Sequence, residues 1–391
     1  MSCSIIDTPE ATGCYATAWL RWMAKDVDAD VRLMYVCDPL DLGPLMAAHK
    51  QDGPPIVVGG PESACARLLS YYADMVCVGE GFAFFDALKS GVDVAADLPC
   101  TYTGSRRAVS STYVDWSRLP LLKYHRSNRA IVTGRGCKSR CRFCYASWTT
   151  KYQQRPMPPG FQADKKTHQI TNDNTNSVTL RQPAHVRSIR LRDYLELSPA
   201  AIAACKNWRI GIEGFTESTR RMFAKPMYDT DIIDAIVKAQ SRKHNLKLFF
   251  IAGLDTSDDI KALLTALPMT LKPRPVVDIK VTWFNPMPHT PLAEYDITRL
   301  HTVSKRHMWA WLKGRGAAYK LTMCADSGKA IFRTFVHRAE TRAECDEIWK
   351  HRNWTGARQI EWAVSHGLSH LISGQTDQMV DLPWKVPVYN A

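Results

Sequence analysis

Three cysteines lie close together on one short segment of the chain. Cys137, Cys141 and Cys144 are spaced Cx3CxxC, and Phe143 directly precedes the last of them. They supply three thiolates, one fewer than a closed tetrahedral zinc site or a four-cysteine iron–sulfur cluster needs. A [4Fe-4S] cluster held by three protein thiolates keeps one iron free to coordinate another molecule. The spacing therefore indicates a metal centre with an open position.

The cysteine loop and three later segments together resemble the radical S-adenosylmethionine (SAM) superfamily. Residues 211–214, Gly-Ile-Glu-Gly, resemble the GIE segment that ends the fourth strand of that family's core. Residues 251–256 resemble its Gly-Leu-Pro turn, with Asp255 in place of the proline. Residues 284–292, FNPMPHTPL, resemble the F-x-P-x-P-G-T-P-L stretch of cobalamin-type and methylthiotransferase-type members, with His289 in place of the glycine. The segments occur in the family's order and at its separations.

The resemblance implies a cofactor set and a reaction. The three cysteines would bind a [4Fe-4S] cluster whose open iron is chelated by the amino and carboxylate groups of SAM. An electron from the cluster would break a C–S bond of SAM, and the resulting 5′-deoxyadenosyl radical would abstract hydrogen from the substrate. An electron donor such as a flavodoxin or ferredoxin is implied as a partner.

Six further residues are predicted to contact SAM or the substrate. Glycines allow close backbone approach to a cofactor, a glutamate at a strand end can accept hydrogen bonds from ribose hydroxyls or an ammonium group, and an arginine can hold a carboxylate or phosphate. A structural ion pair for the glutamate and a plain Asx-rich turn for the asparagine and aspartate are the alternatives. The residues are Gly211, Glu213 and Gly253 at strand ends, Asn172 and Asp173 after the second strand, and Arg190 on the third.

Alternating apolar strands and helical stretches predict an α/β fold in several parts. Residues 1–95 are predicted to form a Rossmann-like domain with a parallel sheet, and residues 96–128 a linker. In residues 129–295, six strand-plus-helix units predict a partial (β/α)6 barrel, with the cysteine loop after its first strand. The third strand is predicted over 188–195. Residues 296–391 are predicted to be mainly helical, to cap the barrel and to select the substrate.

Two glycine-rich turns in the first domain bear on a further cofactor. Residues 59–61, Gly-Gly-Pro, and 79–81, Gly-Glu-Gly, resemble turns of the cobalamin-binding domain that precedes many radical SAM cores. That domain's DxHxxG signature has no counterpart here, and His49 lies outside any such pattern. Cobalamin is thus a candidate cofactor, and a vestigial, scaffolding or substrate-docking domain is the alternative.

The charge balance favours an anionic partner. Lys and Arg total 51 against 38 Asp and Glu, for a formal net charge of +13. Six basic residues and no acidic one fall between positions 135 and 155. Tyr145, Trp148 and Tyr152 are interspersed among them, where aromatic rings can stack bases. A nucleotide or nucleic-acid substrate is the hypothesis, although the same charge can offset an anionic cluster or form a solvated face.

Composition also bears on the compartment. No apolar run approaches the roughly 18 to 20 residues that span a bilayer, and the first residues lack the pattern of a signal peptide. The twelve cysteines are scattered along the chain, so no disulfide framework is expected. These features predict a cytoplasmic protein that does not contact the membrane.

Three hypotheses about function follow. The first is a radical SAM enzyme that acts on a nucleotide or nucleic-acid base. The second is a cobalamin-dependent radical SAM methyltransferase acting on a small metabolite or peptide. The third, from another class, is a zinc-stabilised nucleic-acid-binding protein without catalysis, in which a histidine completes the cysteine site.

Overall fold

Two five-stranded sheets, one mainly and one fully parallel, organise the structure. The structure is a computed structural model that describes residues 3–8, 15–104, 107–119, 122–124, 128–156, 167–170, 187–203, 205–270, 275–374 and 380–381. Helices cover the sheets, so the predicted α/β class is confirmed. Within these residues, no helix is both long and apolar enough to cross a membrane.

The first sheet belongs to the N-terminal part of the chain. Its strand order is β1-β2-β3-β4-β5; the first four strands pair in parallel, and the fifth is antiparallel to the fourth. The strands are β1 (Ser4–Ile6), β2 (Arg32–Tyr35), β3 (Ile56–Gly59), β4 (Met75–Cys77) and β5 (Thr101–Tyr102). The helices between them are α1 (Tyr15–Ala24), α2 (Leu42–His49), α3 (Ala66–Ser70), α4 (Phe82–Ser90) and α5 (Val92–Ala96).

The middle of the chain begins with smaller strand groups. β8 pairs in parallel with β11 and antiparallel with β7, and β9 pairs with β10. The elements are β6 (Ala108–Val109), β7 (Leu122–Tyr124), β8 (Asn128–Val132), β9 (Gly134–Arg135), α6 (Tyr145–Thr149), β10 (Gln153–Gln154) and β11 (Thr167–Ile170). The first two strands predicted for the barrel, β8 and β11, are therefore present and adjacent.

The second large sheet is fully parallel and contains the remaining predicted barrel strands. Its order is β12-β13-β14-β15-β16. The elements are β12 (Arg187–Ile189), α7 (Leu191–Leu195), α8 (Pro199–Ala203), β13 (Asn207–Glu213), α9 (Glu217–Met222), α10 (Asp229–Ser241), β14 (Asn245–Ala252), α11 (Ser257–Ala266), β15 (Val277–Trp283), α12 (Lys305–Lys313) and β16 (Tyr319–Met323). The prediction of a strand over 188–195 was wrong in its second half, which is α7, and β16 was not predicted.

The C-terminal part is mainly helical, as expected. Its elements are α13 (Ser327–Arg338), α14 (Arg342–Lys350), α15 (Gly356–Ser365), α16 (Ser369–Ser373) and β17 (Val380–Asp381), which pairs with β6. Ile331 and Phe332 of α13 share one buried core with Val58 of β3 and Leu69 of α3. The C-terminal helices thus complete the core on one face of the first sheet, while α1, α4 and α5 cover the other face. The predicted boundaries at 95, 128 and 295 stay predictions.

Candidate metal and cofactor site

The cysteine loop connects β9 to α6, after the first predicted barrel strand. Gly136 opens it with a φ of 60°, and a Cβ there would lie 2.5 Å from the carbonyl oxygen of Thr150. Only glycine fits such a left-handed, crowded position without strain. The Arg142 amide donates to the carbonyl of Phe223 (3.0 Å), at the end of α9. The loop is therefore fixed at both its start and its middle.

The backbone at Cys141 is held from two sides. Its carbonyl accepts hydrogen bonds from the Cys144 amide (3.0 Å) and from Nε1 of Trp148 (2.9 Å). Cys141 is buried, whereas Cys137 and Cys144 are half-buried. Two of the three cysteines are thus partly accessible to solvent, and the third is buried.

The cysteine loop packs against the chain that follows β13, and charged residues influence its buried thiol. Burial raises the pKa of the Cys141 thiol, Lys225 and Arg190 lower it, and Cys144 and Glu213 raise it. The Arg142 amide donates to the Phe223 carbonyl, and the Phe143 and Phe223 ring centroids are 4.7 Å apart, so the loop packs against the segment between Glu213 and Lys225. The structure therefore brings the cysteine loop next to a segment that begins more than 70 positions after Cys141.

Glu213 is held in an unusual conformation at the end of β13. Its φ is 77°, and the pairing of β13 with β14 is irregular between Gly211 and Glu213. Lys225 Nζ donates to Glu213 Oε1 at 2.8 Å, with both side chains mostly buried. A Cβ on Gly211 would lie 2.1 Å from Glu213 Oε1 and 2.6 Å from Lys225 Nζ. Because Gly211 has no side chain, it leaves space for this ion pair. A structural ion pair is the alternative that the sequence left open for Glu213.

The turn after β14 combines Gly253 with Asp255. Gly253 has a φ of 112°, and a Cβ there would lie 3.2 Å from the Trp283 ring. Asp255, where the family has proline, is buried and accepts hydrogen bonds from the Phe215 amide (2.8 Å) and the Thr219 hydroxyl (2.6 Å). The aspartate fixes the segment after Glu213, a role that the sequence did not indicate.

Two of the predicted contacts cannot be placed. Asn172 and Asp173 lie outside the described residues.

His289 is buried, and its Nε2 lies 2.7 Å from the carbonyl oxygen of Ala64, in the turn that follows β3. It therefore connects the 284–292 segment to the N-terminal part of the chain.

A cavity of about 500 Å³ lies between the first sheet and the segment around the cysteine loop. Both predicted glycine turns line it: a Cβ on Gly60 would lie 2.5 Å from the Val36 carbonyl oxygen, and one on Gly79 would lie 2.4 Å from that of Ser111. The described lining includes no histidine. Its apolar wall includes Tyr15, Trp19, Leu20, Tyr35, Phe84 and Phe85, and its other side includes Arg135, Thr149, Thr150, Lys151 and Gln153.

One ion pair lies in the lining of this cavity. Arg135 Nε is 3.4 Å from Glu80 Oε1. Burial raises the pKa of Glu80, and the Arg135 charge opposes that shift. A mostly buried carboxylate and a guanidinium two residues before Cys137 thus provide charged groups in the lining of the cavity.

The basic surface around the loop differs from the base-stacking site suggested by the sequence. Lys138, Arg140 and Arg142 are exposed. Trp148 is buried with Arg140 above its ring, at 5.7 Å from the ring centroid, so it is not free to stack a base. Tyr145 donates its hydroxyl to the carbonyl of Pro61 at 2.9 Å.

Comparison with curated proteins found a sequence similarity over part of the chain. No family model matches the chain. "Uncharacterized protein MJ0966" of Methanocaldococcus jannaschii is 26% identical over 198 residues, which span 43% of this chain and 43% of that protein. Less than half of the relative is therefore matched.

Among solved structures, the chain is similar to two proteins named as radical SAM enzymes. One is the radical SAM methyltransferase TsrM from Kitasatospora setae, solved with tryptophan and a SAM analogue (TM-score 0.49, 13% identity, 72% of this chain and 67% of that one). The other is the cobalamin-dependent enzyme OxsB with aqua-cobalamin and SAM bound (TM-score 0.47, 12% identity, 92% of this chain and 66% of that one). Both are named as the type that the sequence motifs resemble. TM-scores below 0.5 do not decide a function, so the function proposed below depends on the chain's own residues.

Proposed function

We propose that this chain is a radical SAM enzyme with a [4Fe-4S] cluster bound by Cys137, Cys141 and Cys144. The observation that carries the proposal is the contact of the cysteine loop with Phe223, through the Arg142 amide and the Phe143 ring, in the segment that begins with Glu213 and ends with its partner Lys225. The donor set fits the group because it offers three thiolates on one short loop and leaves one coordination position open.

The residues around the loop have distinct roles in this proposal. When bound, the cluster supplies the electron that cleaves SAM to a 5′-deoxyadenosyl radical. Glu213 binds the ribose hydroxyls or the ammonium group of SAM, and Lys225 orients its carboxylate through their 2.8 Å hydrogen bond. Arg190 would bind the SAM carboxylate through its guanidinium group. By holding the reactants in register, these residues lower the entropic cost of the reaction.

Anaerobic reconstitution tests this assignment. Protein supplied with iron, sulfide, dithionite and SAM should form 5′-deoxyadenosine, and Cys137→Ala, Cys141→Ala and Cys144→Ala should each abolish its formation. Cys205→Ala, which removes a buried thiol elsewhere, should retain it. Formation of 5′-deoxyadenosine by any of the three loop variants would refute the proposal, as would a colourless wild-type protein with a single zinc bound by the three loop sulfurs.

The cavity favours a second candidate, a cobalamin-dependent methyltransferase. A volume of about 500 Å³ suits a drug-sized group, so it fits the nucleotide tail of a cobalamin rather than the whole corrinoid. The turns at Gly60 and Gly79 would hold the tail, and the apolar wall would surround its base. Because no histidine lies in the described lining, we expect no axial histidine ligand from that wall. Bound cobalamin would supply methyl-transfer chemistry beside the cysteine loop.

A cavity-filling substitution tests this candidate. Ala16 lines the cavity, and Ala18, on the same helix, is not part of the lining. Ala16→Trp should weaken aquacobalamin binding at least about tenfold, measured by the change in corrinoid absorbance, and Ala18→Trp should leave it unchanged. Equal binding by both variants, or no binding by the wild type, would exclude this cavity as the cobalamin site.

We also propose an anionic substrate, a nucleotide or nucleic-acid base, and an acidic electron donor such as a flavodoxin or ferredoxin. The support is the net charge of +13 and the exposed Lys138, Arg140 and Arg142 beside the loop. Affinity for a nucleic acid should fall steeply with salt. A flat salt response would favour a small neutral substrate.

A further inference from the structure

Three buried side chains with metal-binding atoms meet where the N-terminal and C-terminal parts of the chain are in contact. Glu62 and Cys65 lie in the turn after β3, and His337 lies in the last turn of α13, 275 positions after Glu62. All three are almost completely inaccessible to solvent, at 3%, 0% and 2% exposure. The group is separate from the cysteine loop and from the predicted SAM contacts.

The three donor atoms are close enough to share one ion. His337 Nε2 lies 2.9 Å from Glu62 Oε2. One ligand atom from each residue, the Cys65 sulfur included, lies within 4.8 Å of the others. Because zinc bonds of about 2.0–2.3 Å place tetrahedral ligands roughly 3.3–3.8 Å apart, shifts of about 1 Å or less would complete the geometry.

We propose that Glu62, Cys65 and His337 form a structural zinc site. Nitrogen, sulfur and carboxylate oxygen are the zinc donors in proteins. A Zn²⁺ ion bound by one thiolate, one carboxylate and one neutral imidazole has zero net charge, which suits a site without solvent because an uncompensated buried charge is costly. The second Glu62 oxygen or one water supplies the fourth ligand.

Charge and hydrogen bonding of the metal-free cluster support the proposal. Glu62 Oε2 and His337 Nε2 already face each other at 2.9 Å, and the Cys65 sulfur is grouped with them inside the core. An ion between the three donors would neutralise both the carboxylate and the thiolate in place.

The site would hold two parts of the fold together. The turn that contains Glu62 also contributes Pro61 and Ser63 to the lining of the cavity. A zinc ion shared with α13 would fix that turn against the C-terminal helices. The position indicates a structural rather than a catalytic metal, because all three ligands are almost completely buried.

X-ray absorption at the zinc edge tests the proposal on the wild-type full chain. Protein with a reconstituted iron–sulfur cluster is incubated with excess zinc, desalted and analysed for metals. We expect about one zinc per chain, with one sulfur neighbour near 2.3 Å and nitrogen or oxygen neighbours near 2.0–2.1 Å. Absence of zinc, or zinc with three sulfur neighbours, would overturn the proposal, the latter because it places the ion in the cysteine loop.

Matched variants identify the ligands. Cys65→Ala and His337→Gln should each lower zinc occupancy at least about tenfold, whereas Cys205→Ala, a buried cysteine in the other core, should retain it. Zinc that stays bound with an unchanged spectrum in a folded Cys65→Ala protein would contradict the assignment. If both ligand variants fail to fold, the neighbours measured in the wild-type spectrum still decide the question.

Discussion

Glu213 adopts a φ of 77°, a conformation that costs a non-glycine residue about 1–3 kcal/mol. A glutamate kept at this cost, facing Lys225 at 2.8 Å near the cysteine loop, is typical of a functional position. Glu213→Gln should raise the dissociation constant for SAM about 10- to 100-fold, because it removes the charge from a hydrogen bond worth about 1.5–3 kcal/mol. Equilibrium binding to the cluster-loaded protein measures the effect.

An exposed glutamate provides the control for that substitution. Glu196 forms an ion pair with Arg192 on the surface, and both side chains are mostly exposed. Glu196→Gln should leave SAM affinity unchanged. If Glu213→Gln binds SAM as tightly as the wild type does, the Glu213–Lys225 pair is only structural.

The buried His244 predicts how folding stability depends on pH. Burial lowers its pKa, and the charges of Arg242, Lys238 and Lys206 lower it further. In the unfolded chain His244 takes up a proton below about pH 6.5, whereas in the folded chain its lowered pKa moves this protonation to lower pH. The free energy of unfolding should therefore fall as the pH drops below about 6.5. The difference between thermal midpoints at pH 7.5 and pH 5.5 should shrink in His244→Gln. The exposed His366→Gln should keep the wild-type difference, and an equal change in both variants would contradict the prediction.

At the scale of elements, the cysteine loop and most core strands could be predicted from the sequence because their signals are local. The loop is defined by spacing within eight residues, β14 is mostly apolar, and β15 alternates apolar and polar residues. The α7 error has a local cause: Ile189 and Leu191 alternate as in a strand, whereas Leu191, Tyr194 and Leu195 follow helical spacing. The bond of Asp255 to the Phe215 amide and the meeting of Glu62 with His337 join distant positions. Such contacts depend on tertiary packing, which no local pattern encodes.

Arg338, at the end of α13, connects this helix to two other segments through their backbone carbonyls. Its side chain is buried and donates to the carbonyls of Ala293 (2.7 Å), Tyr295 (2.9 Å), Leu371 (3.0 Å) and Ile372. Burial lowers its pKa to about 10, so it stays charged at neutral pH. Arg338→Met should lower the free energy of unfolding by about 3–5 kcal/mol, because four buried carbonyls lose their donor.

Denaturant titrations followed by tryptophan fluorescence measure this loss. Lys329 lies on the same helix and is exposed, so Lys329→Met should change the unfolding midpoint little. If the two variants unfold at the same denaturant concentration, Arg338 does not connect these segments energetically.

For the whole molecule, the hydrophobic cores do not follow the order of the chain. One core joins N-terminal with C-terminal residues, and another contains the second sheet. Phe332 of α13 is buried with the first sheet, whereas Phe250 of β14 lies in the core of the second sheet. We therefore expect β3 and α13 to open as one unit and β14 to open in another. Truncating either ring to alanine should cost about 3–5 kcal/mol in its own core.

Native-state hydrogen exchange can test this grouping with two reciprocal variants. Phe332→Ala should speed amide exchange in both β3 and α13 and leave β14 at its wild-type rate, because the lost contacts belong to the shared N- and C-terminal core. Phe250→Ala should speed exchange in β14 and spare β3, since its ring stacks on Phe215 in the second core. If amide exchange in α13 changed together with exchange in β14 rather than in β3, the C-terminal helices would be coupled to the second sheet. A C-terminal part that caps the barrel requires that coupling.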